Sequence, residues 1–326
     1  MSAAPSATMN GEACDPLPSW REGATRRAIL AFVHSTTTEG DPGFVAPRDR
    51  IAVFDNDGTL WPERPLPIQF FFLQERALAA VAADPALGDQ EPFRAVIAGD
   101  FAALRAYGAE RFFDWVAGLH AGLSPEEEEA IARAWLVGAR HPTLARRFTE
   151  LAYQPMRELL AYLRAHEFRI WVVTGSGADF VRALAGEAYG LLPEQVIGST
   201  AVVQVDSAHA TGGLIKAPRL EIFVDRASKA AAVALRIGHR PILACGNSDS
   251  DLALFEYTSS GSGPSLVLIV HHDDPEREWA YEQEVDLSPL DEALRLAPGR
   301  GWHVISMRND FATIYATNEG TASGSR

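Results

Sequence analysis

Four short apolar runs constrain this chain more than anything else in it: 51–54 (IAVF), 170–173 (IWVV), 242–245 (ILAC) and 266–270 (LVLIV). Each is too short for a buried helix and has no polar residue to turn toward water, the pattern of a strand covered on both faces. Helix-like stretches lie between or after them at 155–166, 178–188, 228–238 and 275–283. Strand alternating with helix predicts an α/β fold with a parallel sheet sandwiched by helices. The stretch 201–216 alternates polar and apolar residues and turns at Gly212 and Gly213, which predicts a small hairpin excursion.

The spacing of the runs is uneven, because 115 residues separate Phe54 from Ile170 and a crossover needs only a dozen or a few dozen. An insertion follows the first strand. Four helical patterns fill it, at about 67–83, 91–106, 110–120 and 124–138. The last opens with Ser124 as N-cap, Pro125 in the first turn and the acidic run Glu126–Glu129, read as a solvated helix start. The expected division is a discontinuous core, 1–64 with 150–326, and a helical cap, 65–149. Residues 1–17 and 317–326 read as a leader and a tail rich in small and polar side chains.

A net charge of −14 gives the chain no general attraction for nucleic acid or anionic lipid. No protein partner is implied either. An anionic ligand would need positive charge concentrated locally, and of the 29 basic residues only Lys216 and Lys229 are lysines. Cys14 and Cys245 supply neither a disulfide framework nor a zinc cluster. With no basic start followed by an apolar stretch, and no window near the roughly 18 apolar residues of a membrane span, the expected location is cytoplasmic.

The first strand ends in Asp55, Asn56, Asp57, Gly58 and Thr59. Two carboxylates one residue apart emerge on the same side if strand geometry persists, at the sheet edge where open α/β sheets bind ligands. Their repulsion is relieved by a hard divalent metal or by a shared proton. The second run ends in Thr174, Gly175, Ser176 and Gly177, a hydroxyl followed by backbone that a ligand can approach closely, at the start of a helix. Lys229 opens the helix that leads to the third run, which ends in Gly246, Asn247, Ser248, Asp249, Ser250 and Asp251.

In this order the four motifs resemble those of the haloacid dehalogenase superfamily, and 236–251 is similar to its phosphoserine-phosphatase-like branch. The resemblance implies a Rossmann-like core with a helical cap inserted after the first strand. Carried onto this chain, it makes Asp55 the nucleophile that becomes an aspartyl-phosphate and Asp57 the acid and base. Thr174, Gly175, Ser176 and Lys229 hold the phosphoryl group, and Lys216 is left as a solvated surface lysine. Asp55, Asp57, Asn247 and Asp251 hold Mg²⁺. Asn247 stands where the family usually has an acid; its amide oxygen can ligate a hard cation but brings no charge, and Asp249 is either a compensating ligand or an exposed helix-start acid.

The implied activity is that of a Mg²⁺-dependent phosphatase for a small phosphorylated metabolite. The loss of charge at Asn247 motivates the alternative, a non-catalytic or regulatory phosphate-binding protein. Glu63 and Arg64, at the first hinge of a cap that opens and closes, are candidate substrate contacts. Trp61 and Phe70–Phe72 read as core rather than a substrate platform, and His271 and His272 as rim residues rather than metal ligands.

Overall fold

The computed structural model describes residues 15–206, 213–281 and 289–316. Seven strands form one sheet in the order β4-β3-β2-β1-β5-β6-β7, with β1 Ile51–Phe54, β2 Arg169–Gly177, β3 Val196–Val205, β4 Leu214–Ile222, β5 Leu243–Gly246, β6 Leu266–His271 and β7 His303–Ser306. All pairs are parallel except β3 with β4. Order reverses at β1, with β2 on one side and β5 on the other, so a crevice opens at the carboxyl end of the strand that carries Asp55 and Asp57.

The helices are α1 Ala24–Thr37, α2 Ile68–Ala83, α3 Phe93–Ala98, α4 Phe101–Tyr107, α5 Ala109–Leu119, α6 Pro125–Gly138, α7 Gln154–Ala165, α8 Ala178–Tyr189, α9 Ala227–Ile237, α10 Leu252–Ser259, α11 Glu292–Arg300 and the single turn α12 Met307–Asp310. Strand β1 alternates between two cores: Ala52 and Phe54 pack with α7 and α8, whereas Ile51 and Val53 pack with α9 and α10. That is the both-faces burial its uninterrupted apolar run predicts. Among the described residues no helix is long and apolar enough to cross a membrane.

Several expectations change. The pattern at 91–106 is two helices, because Gly99 adopts the left-handed conformation (φ 67°) and Asp100 caps the second helix by accepting from the Ala103 amide at 2.9 Å. The hairpin is no excursion: β3 first pairs parallel with β2 and then antiparallel with β4, extending the main sheet; of the expected turn, Gly212 lies outside the described residues and the Gly213 carbonyl accepts from the Asp206 amide at 2.8 Å. Residues 275–281 of the expected helix at 275–283 are turns and an isolated bridge between Asp273 and Ala280. Strand β7 and helix α1 carry too weak a pattern to stand out in the sequence.

The insertion is not packed apart from the rest. Phe70, Ala77, Ala95, Val96 and Leu104 form a small core of their own, but Ile68 and Phe72 of α2 and Ala132 and Leu136 of α6 join the main core beneath the sheet. Helix α6 keeps its predicted capping box, Ser124 accepting from the Glu127 amide and Glu127 accepting from the Ser124 amide. Glu128, however, is buried rather than solvated. Its partner is Lys216 of β4, which is buried too and also bonds Asp179 of α8. The second lysine is therefore not a surface residue. It joins the insertion, the sheet edge and a core helix.

Candidate active site

The loop after β1 is folded by its own polar groups. Asn56 is buried, its carbonyl accepts from the Leu60 amide at 2.8 Å, and its side-chain oxygen accepts from the Tyr189 hydroxyl at 2.8 Å. Gly58 has φ +76°, and a Cβ there would collide with the Asn247 amide and crowd the Glu63 carboxyl, so glycine is required twice over. This tight turn presents Asp55 and Asp57 to a common cavity of about 430 Å³, together with Thr174, Gly175, Ser176 and Lys229. Three segments distant in the chain thus converge at the carboxyl edge of the sheet.

The two aspartates have different neighbours. Asp55 is buried, and its Oδ1 accepts from Lys229 Nζ at 2.8 Å; the same ammonium reaches Asp251 Oδ1 at 2.6 Å. Burial pushes the Asp55 carboxyl up, with Asp251 and Asp57 acting the same way against the Lys229 ammonium. Burial works to lower the lysine, but Asp251 and Asp55 outweigh it and hold the ammonium charged. Asp57 is held by neutral donors, Trp61 Nε1 at 2.8 Å and Ser176 Oγ at 2.7 Å. Burial raises its pKa, and those hydrogen bonds offset only part of the rise. One carboxyl sits against a cation and the other against neutral donors, and burial raises the pKa of both.

Thr174 is buried, accepts from the Ser176 amide at 3.0 Å and stands 3.5 Å from Asp57 Oδ2. Asp251 receives the Asn247 and Ser248 amides on Oδ2 at 3.1 and 3.2 Å, so both its oxygens are engaged. Asn247 Oδ1 accepts from Thr59 at 3.1 Å, and its Nδ2 donates to Glu63 Oε1 at 3.0 Å. Asp249 turns away, accepting the amides of Asp291, Glu292 and Ala293 at 3.2, 3.1 and 2.9 Å at the start of α11. It caps the start of α11. Glu63 lines the cavity, whereas the Arg64 guanidinium lies 4.3 Å from the centre of the Tyr281 ring and Arg64 is not part of the lining.

Three contributions escape the sequence motifs. Gln69 on α2 accepts the Gly177 amide at 2.8 Å, tying the insertion to the start of α8. Tyr281 donates to Glu63 at 2.8 Å. His272 is buried beside the turn, with Nε2 2.7 Å from the Gly58 carbonyl and Nδ1 2.9 Å from Glu278. Both ring nitrogens face acceptors, which only the imidazolium can satisfy. Burial lowers its pKa, but Glu278 more than reverses this and the net shift is upward. The adjacent pair His271 and His272 carries no signal for this, since only the fold shows which ring points at the turn.

The chain belongs to the haloacid dehalogenase-like hydrolases, whose sequence model matches residues 52–256. No curated protein matches it in sequence. Among solved structures, a conserved functionally unknown protein from Anaerococcus prevotii is similar over 86% of this chain and 91% of its own, at 16% identity and a TM-score of 0.53. A protein of unknown function from Bordetella pertussis is similar over 79% of this chain and 98% of its own, at 19% identity and a TM-score of 0.51. A phosphoserine phosphohydrolase-like protein from Francisella tularensis matches more loosely, over 79% of this chain and 94% of its own, at 16% identity and a TM-score of 0.40. At these identities the first two likenesses speak for the fold.

Proposed function

We propose that this hydrolase is a Mg²⁺-dependent phosphomonoesterase that works through an aspartyl-phosphate on Asp55. The observation that carries the reading is the asymmetry of the two carboxyls' partners, Asp55 paired with the Lys229 ammonium and Asp57 held by the neutral donors Trp61 and Ser176. A nucleophile and a proton donor need those opposite environments. An Asp55 oxygen attacks phosphorus as the ester P–O bond breaks, and Asp57 gives its proton to the departing oxygen. Asp57, now ionised, takes a proton from water, whose oxygen displaces Asp55 and releases inorganic phosphate. Lys229, Thr174 and Ser176 hold the phosphoryl oxygens and the Gly175 backbone permits their approach. Residues 65–149 act as the cap that walls the site.

The residues present fit a hard divalent cation. Asp55, Asp57 and Glu63 line the cavity with the single ammonium of Lys229, and Asp251 is buried behind that ammonium, so four carboxyls face one lysine. Among the described residues no three acidic, histidine or cysteine side chains form a cage, which suits Mg²⁺, an ion that keeps several waters and takes one or two carboxylates. Asp55 and Asp57 would hold it, with the Asn247 side-chain oxygen, which also accepts from Thr59, and Asp251, engaged on both oxygens, acting through water. When bound it supplies positive charge against the phosphoryl oxygens.

A net charge of −14 disfavours nucleic acid and anionic lipid as partners, and we read the protein as a cytoplasmic enzyme for a small phosphomonoester, with no protein partner. Phosphate release from a panel of phosphomonoesters, with and without Mg²⁺, tests the activity. Asp55→Asn should lower turnover by roughly 10⁴-fold or more while the protein stays folded. Retained turnover would remove the nucleophile assignment. Phosphate binding without turnover by the unsubstituted protein would favour the binding-protein alternative, which Asn247 alone suggests.

A further inference from the structure

The cavity that holds the catalytic carboxyls extends well past them. Its far wall is made by the inserted helices and by the loop after β4: Phe70, Phe101, Leu104, Phe112, Phe113 and Phe223. Phe101, Phe112, Phe113 and Phe223 are only half-buried, unlike Phe72, which is 1% exposed in the main core. The rings are already arranged as partners for one another. Phe70 and Phe101 are 4.9 Å apart, Phe112 and Phe113 5.5 Å, and Phe113 meets Phe223 at 3.9 Å where the insertion touches the sheet edge. Open aromatic surface of this kind is costly in water and marks a place where an apolar group is received.

Resting on the phosphatase reading above, we infer that the substrate is a phosphate monoester of a ring-bearing, apolar alcohol, whose ring lies among these phenylalanines while its phosphate meets Asp55. Catalytic carboxyls and aromatic wall line one continuous cavity, so the alcohol that leaves phosphorus opposite Asp55 has the space lined by the rings to occupy. The volume, about 430 Å³, is far more than a phosphate fills and falls in the range of pockets for compact organic ligands. The aromatic wall favours a ring over the zwitterionic head of an amino-acid phosphate. Among the described residues the inserted helices contribute one charged side chain to the lining, Arg105, and so offer an ammonium no partner; the acids of the lining other than Asp55 and Asp57 are Glu63, already bonded by Asn247 and Tyr281, and Asp225 after β4. The sequence places the Phe70–Phe72 run in the core; the structure divides it, with Phe71 and Phe72 packed inward and Phe70 also facing the cavity.

Two measurements test this. In the first, kcat/KM with Mg²⁺ is compared for benzyl phosphate, glycerol phosphate and O-phosphoserine. The expected preference for benzyl phosphate is about 10- to 100-fold. Phe113→Ala should narrow that ratio, and Phe113→Leu, which keeps the wall apolar and guards against a folding defect, should narrow it less. Equal or better turnover of the two polar esters would overturn the substrate class while leaving the phosphatase reading intact. In the second, calorimetry compares benzylphosphonate with methylphosphonate on the Asp55→Asn protein, a measurement that needs no turnover. Tighter binding of the benzyl compound supports the aromatic site even if no ester is hydrolysed, in which case the phosphatase reading alone falls. Equal binding overturns the aromatic site.

Discussion

The two lysines of this chain sit in nearly the same immediate chemistry and serve different ends. Lys229 is buried between Asp55 and Asp251, and Lys216 is buried between Glu128 and Asp179. In both, burial works against the ammonium and the two carboxylates more than restore it. What differs is the adjoining space. Lys229 borders the cavity of about 430 Å³, while Lys216 borders a recess of about 70 Å³, room for about two waters. Lys216 is further enclosed by backbone: its amide donates to the Leu123 carbonyl at 2.9 Å, and its carbonyl accepts from the Gly122 amide at 2.9 Å. A buried ion triad therefore does not by itself mark a site. The space beside it, and whether one of its acids can reach a reacting atom, decide that.

Replacing each lysine by methionine separates the two roles. Lys229→Met should give the largest effect, a fall in kcat/KM of about 10³-fold or more, read by phosphate release. Lys216→Met should instead be seen in urea unfolding, as a loss of about 3–5 kcal/mol, because Glu128 and Asp179 are left charged and buried. If Lys216→Met cost activity but not stability, the comparison would fail.

The next effect sharpens the account of the catalytic turn. His272 has a pKa raised above its ordinary 6.5, so its contribution to stability is complete below that value and is lost as pH rises through the folded pKa. Wild-type melting temperature should decline across that interval more steeply than that of His272→Gln, in which no imidazolium links the Gly58 carbonyl to Glu278. Parallel melting curves would show that the ring is neutral. The smallest effect belongs to Asp249→Ala, which should cost about 1 kcal/mol as a lost helix cap and leave the Mg²⁺ dependence of turnover unchanged. A changed metal requirement would return Asp249 to the site.

Much of the catalytic edge was legible before any coordinates. Asp55, Asp57, Thr174 and Lys229 follow apolar strands or open a helix, and in a parallel sheet all strand ends on one edge meet, so local pattern implies convergence. Glu63 was visible as a hinge acid but not as the acceptor of Asn247 and Tyr281, since those contacts cross 184 and 218 residues. Lys216 was misread because a lone lysine in an alternating strand carries no sign of the two acids that surround it. The helix expected at 275–283 failed where Glu278 and Tyr281 instead turn inward to His272 and Glu63.

The sequence by itself determined the layered α/β arrangement, the place of the insertion and the family motifs, because strand burial and tight-turn chemistry are written in contiguous residues. The tertiary structure alone decided which lysine lines the cavity, that His272 holds the turn from behind, and that phenylalanines from the insertion and the sheet edge line the same cavity as Asp55 and Asp57. Those outcomes depend on side chains far apart in the chain entering a common space, where burial and pairing, rather than local pattern, set their charge and their role.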